Sequence, residues 1–225
     1  MNAAPNGASD AALRAQAVAA IRRMDTLGLN RGTTGNLSVR ASAAAGGGMW
    51  ITPTGMDPAE LGVDELVRVG EDGTAHGDWE PSSEWPFHRA IYRVRPDLHA
   101  VVHAHCVHAT AVACLRQPLP AFHYMVAVAG GDSVPCTPYH LFGTEALSLA
   151  VAQAFADRNA CLMSNHGLVA GGTSLAHALK VALEIEALCE VYLKALAAGT
   201  PALLSAAEME AVIERFKRYG KARRR

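Results

Sequence analysis

Val101-Val102-His103-Ala104-His105 is the stretch from which the rest of the chain is read. Two valines run into two histidines one residue apart. In a β-strand, side chains alternate between faces, so His103 and His105 point the same way. Two imidazoles side by side on a rigid strand are either a polar face arising by chance or a pair of metal ligands, histidine being the commonest such ligand. A third candidate ligand stands in Ser164-Asn165-His166-Gly167, and a carboxylate candidate, Glu84, in Pro81-Ser82-Ser83-Glu84.

Working outward, the spacing of Leu13, Ala17, Ile21 and Met24 predicts a helix from Ala11 to Leu27, capped by Asp10 and ended by Gly28. Gly28 to Arg40 then gathers three glycines, two threonines and two asparagines before a short strand. Such a loop is either an ordinary turn or a cradle of N–H groups and hydroxyls for an anion; it fits no nucleotide-binding pattern. Met49 to Thr52 reads as a strand running into the turn Pro53-Thr54-Gly55. Leu61 to Val69 reads as a helical turn and a strand. Ser82 or Ser83 is expected to cap a helix reaching Arg93, with Glu84 in its first turn and His88 packed. Further helices are expected at 108–115, 145–155 and 175–196, and a last one from Ser205 to Tyr219. Cys161-Leu162-Met163 reads as a buried strand and Gly167 to Gly172 as a hairpin edge.

The chain has 225 residues, half of them hydrophobic and 18% charged, with a net charge of −1. That composition describes a soluble globular domain and gives no overall field to recruit nucleic acid or membrane. Neither linker nor repeat divides it. One domain is expected over residues 11–220, with a flexible N-terminus at 1–10 and a basic tail at 221–225. No signal peptide is expected in Met1 to Asp10, and no uncharged run approaches the roughly 18 apolar residues of a membrane span. The five cysteines are odd in number and form no C-x-x-C pair. They read as small buried side chains in a reducing cytoplasm.

Six motifs together carry a resemblance. Gly32-Thr33-Thr34-Gly35-Asn36, Thr52-Pro53-Thr54-Gly55, Pro81-Ser82-Ser83-Glu84, His103-Ala104-His105, Ala129-Gly130-Gly131 and Asn165-His166-Gly167 follow one another as in the class II aldolase/adducin family. The chain resembles that family from roughly Ala11 to Gly220, and within it the bacterial L-fuculose-1-phosphate aldolases. The resemblance implies a single α/β domain with a central, mostly antiparallel sheet flanked by helices in three α/β/α layers. It implies a homotetramer with active sites at subunit interfaces. It implies a catalytic Zn²⁺, or another divalent ion such as Mn²⁺ or Co²⁺, on His103, His105 and His166, with Glu84 as acid/base. It also implies a phosphate pocket from Thr33, Asn36, Thr54, Gly55, Ser82 and Ser83, and an aldehyde side shaped by Phe142, Phe216 and Tyr219. Tyr124 would donate a proton to the aldehyde oxygen from a neighbouring subunit. Ala104 stands where relatives carry asparagine, Ser164-Asn165 replaces a Gln-His pair, and His140-Leu141 replaces small residues; these departures bear on sugar preference.

The implied reaction is reversible cleavage of L-fuculose 1-phosphate, or a related deoxyketose 1-phosphate, to dihydroxyacetone phosphate and an aldehyde such as L-lactaldehyde. A bound Zn²⁺ would stabilise the enediolate as a Lewis acid. The same fold also serves a methylthioribulose-phosphate dehydratase, a 4-epimerase and a decarboxylase, and these stay open as alternatives. A non-enzymatic head of the adducin type is disfavoured, because all three histidines are present.

Overall fold

The computed structural model describes residues 9–216. Its core is one sheet of eight strands in the order β4-β3-β2-β1-β5-β8-β7-β6. The strands are β1 (Asn36–Arg40), β2 (Met49–Ile51), β3 (Val67–Val69), β4 (Ala75–His76), β5 (Ala100–Ala104), β6 (Cys136–Thr137), β7 (Ala160–Met163) and β8 (Gly167–Gly172). Every pairing is antiparallel except β6 with β7. The helices are α1 (Asp10–Thr26), α2 (Trp85–Val94), α3 (Val107–Ala113), α4 (Glu145–Ala154), α5 (Leu175–Ala198) and α6 (Ala206–Phe216).

Alternation along β5 separates the two faces. Ala100, Val102 and Ala104 join the core built with α1, α3 and α5; Val101 joins Phe87, Ile91, Leu147 and Val151 under α2 and α4. A sheet covered on both sides in this way is the α/β/α arrangement expected. The middle strands are accordingly buried almost throughout, and β8 is buried at all six positions. β8 lies between β5 and β7, so it is an internal strand and not the hairpin edge that its glycines suggested. Those glycines are there for close approach: a Cβ on Gly172 would sit 2.3 Å from the Ala178 backbone nitrogen.

Several local expectations are corrected. Ser9, not Asp10, caps α1, its hydroxyl accepting from Ala12 N. Asp10 instead accepts from Ser42 and from the Trp50 indole, pinning α1 to the β1–β2 connection. Residues 61–65 form no helical turn. Neither Ser82 nor Ser83 caps α2; Glu84 holds the N-cap position and its side chain makes no capping bond. Cys106, Cys161 and Cys189 are buried as expected, whereas Cys114 is exposed and Cys136 half-buried; all five are free. Ser205 does cap α6, with Glu208 reaching back to the Ser205 N–H at 2.7 Å. Tyr219, Gly220 and the basic tail lie outside the described residues, as do residues 1–8.

Candidate active site

Strand register assembles the site. Asn36 on β1 faces His103 on β5, and His103 faces Val169 on β8. His103 stands one residue before the end of β5 with its side chain against Phe87 of α2, and His105 follows just past the strand end. The β7–β8 turn returns to the same end of the sheet and delivers His166. The N-terminus of α2 arrives there too, with Glu84 turned inward.

The three imidazoles surround one point. Their ring centroids are 4.8, 4.9 and 4.8 Å apart, with planes inclined by 74–84°. His103 Nε2 lies 2.9 Å from His105 Nε2 and 3.0 Å from Glu84 Oε2. Glu84 Oε1 lies 3.0 Å from His166 Nε2 without making a hydrogen bond. The four donor atoms fall within 4.8 Å of one another.

These residues fit a divalent cation on their own chemistry. The Leu168 carbonyl accepts from His103 Nδ1 at 2.9 Å, so a neutral His103 ring presents its Nε2 lone pair to the cluster. That lone pair faces a carboxylate oxygen and a second ring nitrogen. Either one of these rings carries a proton toward its neighbour or a cation lies between them, and a cation satisfies all the groups at once. Ligands around a tetrahedral zinc-sized ion sit roughly 3.3 Å apart, close to what is found. Glu84 is only 6% exposed and His103 is fully buried, and no lysine or arginine pairs with this carboxylate among the described residues. A charge so placed needs a partner inside the protein.

Without an ion between them, these groups set one another's charge. Burial would raise the Glu84 carboxyl, but His103 and His166 outweigh it and hold it well below the usual carboxylate range. Burial pushes His103 down, and Glu84 beside it pulls it above its ordinary value. His105 is pushed down to about 4, first by burial and then by the other two histidines. A neutral ring is what a metal ligand requires.

Behind Glu84 runs a chain of hydrogen bonds that the sequence did not reveal. Asn36 Nδ2 donates to Glu84 Oε2 at 2.9 Å. Asn36 Oδ1 takes the Nε2 proton of His88 at 2.7 Å, and Ser38 Oγ meets His88 Nδ1 at 2.8 Å. Tyr92 closes the chain on Ser38 at 3.0 Å. The donors and acceptors fall in one consistent order, the Tyr92 hydroxyl also lying 3.1 Å from the Ser38 carbonyl, provided His88 is neutral. It is: burial, then His103, pushes it down to about 3. The available signals were the four-residue step from Glu84 to His88 and the two-residue step from Asn36 to Ser38. Each puts both members on one face of its element.

The remaining candidates are placed as follows. Thr54, Gly55, Ser82 and Ser83 meet at a junction where Thr54 N donates to Glu80 O and Ser82 N to Thr52 O, both at 3.0 Å. Thr54, Gly55 and Ser83 are exposed there, and Ser82 is buried. Thr33 is in the exposed loop ahead of β1. Asn36 is committed to Glu84 and His88. Phe142 lines the cavity of about 320 Å³ over the cluster, with Tyr139, His140 and Asn165. Tyr124 lies on a 3₁₀ helix (Tyr124–Ala129), half-exposed and beside His123; it is not among the residues that line this cavity. Phe216 packs against the main core.

The sequence matches the family model for the class II aldolase and adducin N-terminal domain over residues 15–193. The chain belongs to the class II aldolase and adducin family. It is 47% identical to a 5-methylthioribulose-1-phosphate/5-deoxyribulose-1-phosphate aldolase of Rhodospirillum rubrum, covering 93% of each chain. It is 48% identical to the L-fuculose phosphate aldolase of Escherichia coli K12, covering 88% of this chain and 90% of that one. A solved L-fuculose 1-phosphate aldolase superposes with a TM-score of 0.86 at 38% identity, over 91% of this chain and 96% of the other. Family and fold make it an enzyme of the class II aldolase type, and the chain carries a Glu/His₃ group suited to a divalent metal.

Proposed function

We propose that this class II aldolase cleaves a ketose 1-phosphate reversibly to dihydroxyacetone phosphate and an aldehyde. The substrate is L-fuculose 1-phosphate or a related deoxyketose 1-phosphate, the groups named for its relatives. The observation that carries this reading is the Glu84-His103-His105-His166 cluster at the floor of a cavity. Zn²⁺ is the ion proposed; bound by the three histidines, it would supply Lewis acidity at the ketose oxygens.

The chain's own groups do the rest. Cleavage breaks the C3–C4 bond. The C4 hydroxyl proton leaves, C4 becomes the aldehyde carbon, and the electron pair stays on the C2–C3 fragment. Glu84, poised beside the ligands, delivers the proton that C3 needs to become dihydroxyacetone phosphate. Asn36 and His88 hold the carboxylate in place. Thr33 and the junction of Thr54, Gly55, Ser82 and Ser83 offer hydroxyls and backbone N–H groups to the substrate phosphate. Anchoring that non-reacting end orients the bond that breaks. Tyr124 of a neighbouring subunit handles the C4 oxygen proton, and Phe142, Phe216 and Tyr219 shape the aldehyde side. A homotetramer is therefore part of the proposal. So is a cytoplasmic location, which the absence of disulfides among the five cysteines supports. No helix among the described residues is long and apolar enough to cross a membrane.

The test is a coupled assay for dihydroxyacetone phosphate with L-fuculose, 5-deoxyribulose and methylthioribulose 1-phosphates. Release should stop on chelation and return with Zn²⁺. Release indifferent to chelator would sink the metal's role. Loss of water with the carbon skeleton intact would make the enzyme a dehydratase.

A further inference from the structure

Among the described residues, two that are not glycine hold a positive φ: Arg116 at 55° and Asn165 at 55°. A left-handed backbone crowds the Cβ of an L-residue. Asparagine tolerates it, arginine much less. Such residues persist where their surroundings enforce them, and they gather at binding sites. Here the two touch. Arg116 Nε donates to Asn165 Oδ1 at 2.6 Å, a short charge-assisted bond. The Ala113 carbonyl at the end of α3 accepts from both backbones, from Arg116 N at 3.0 Å and Asn165 N at 3.2 Å. The Arg116 guanidinium also lies 5.7 Å from the centre of the Tyr139 ring. Tyr139 and Asn165 line the cavity over Glu84 and His166.

The sense of that hydrogen bond fixes the amide. Arginine has no acceptor, so it takes the oxygen of Asn165 and leaves the NH₂ group outward. No protein acceptor meets that NH₂ among the described residues. It stands one residue before His166, on a wall shared with Tyr139, His140 and Phe142. On this mostly aromatic wall the Asn165 amide is held in one orientation by Arg116, and a donor so fixed favours an oxygen at one place.

We infer that Asn165 determines specificity and that Arg116 positions it: the Asn165 NH₂ donates to a hydroxyl on the carbon next to the aldehyde carbon, C5 of the ketose. The preferred substrate class is then a ketose 1-phosphate hydroxylated at C5, which releases a 2-hydroxyaldehyde. This rests on the aldolase reading above.

D-ribulose 1-phosphate and 5-deoxy-D-ribulose 1-phosphate differ only in that hydroxyl, so the readout is the ratio of their kcat/KM values. The native enzyme should favour the hydroxylated substrate by about five- to tenfold, the worth of one hydrogen bond. Asn165→Gly accepts the left-handed backbone and removes the amide; the ratio should fall to near one. Arg116→Gly relieves the backbone and frees the amide to turn; the ratio should fall part of the way. Metal content measured alongside should match the native enzyme in both variants. A merely structural role would lower both substrates together and leave the ratio unchanged, which overturns the inference. So would a native ratio near one. Absence of dihydroxyacetone phosphate from every ketose 1-phosphate would instead overturn the aldolase reading, and this inference with it.

Discussion

Glu84 is 6% exposed and shares its surroundings with three imidazoles and one amide, so its charge is governed by neighbours and not by water. Replacing it with glutamine keeps the shape and the Asn36 contact region but removes the proton carrier. Glu84→Gln should lower kcat by about 10²–10⁴-fold, the usual worth of a positioned acid/base. Metal content, measured by atomic emission, should stay at the native level because the three histidines remain; native turnover in this variant would end the proposed role. At this scale the sequence told a good deal. His103 and His105 were legible because strand alternation fixes their common side. Glu84 and His166 were legible as chemically capable residues in turns. Asn36, Ser38 and His88 were not legible as one network. Each taken alone is a turn residue, a strand serine and a packed histidine. Only the register of Asn36 against His103, and the placement of α2 over that face, joins them.

The β5–β8 pair positions the three histidines proposed as metal ligands. Gly167 opens β8 directly under them. A Cβ there would lie 2.6 Å from the Ala104 carbonyl oxygen, 3.1 Å from the His105 ring and 3.3 Å from the His103 ring. The first is backbone and cannot move aside without shifting β5. Gly167→Ala should therefore cost about 1–3 kcal/mol of stability, the usual range for an overpacked core. Because the strain falls on two of the proposed ligands, affinity for the proposed zinc should drop with it. Denaturant unfolding and a competitive zinc titration check both; native stability and affinity together would refute the close-packing account. The sequence read Gly167 to Gly172 as an edge. Glycines in a strand signal either a weak edge or a close approach, and periodicity cannot tell which. The neighbours decided it: β7 on one side, β5 on the other, and α5 above.

For the whole molecule, Tyr124 is half-exposed on its 3₁₀ helix and does not line the cavity over its own chain's cluster. If a neighbour's Tyr124 completes each site, two inactive variants can complement. Glu84→Gln and Tyr124→Phe subunits, unfolded together and reassembled at random, should recover about a quarter of native activity, since one site in four would inherit both intact groups. Mixtures as inactive as the parents would place Tyr124 outside the neighbour's site. The sequence by itself determined the helix over 175–196 and the common side of the histidine pair, and its six ordered motifs, through their resemblance to a known family, implied the layered α/β character. Hydrophobic periodicity and strand alternation are local properties and are written directly in residue order. The resemblance implied that His166 joins the pair; the tertiary structure brings it together with them and with Glu84 in space. That structure alone showed that a hydrogen-bonded chain holds that carboxylate, and that Arg116 locks Asn165. Those relations depend on which strands become neighbours and in what register. That is settled by burying both faces of one sheet at once, a condition no single stretch of sequence contains.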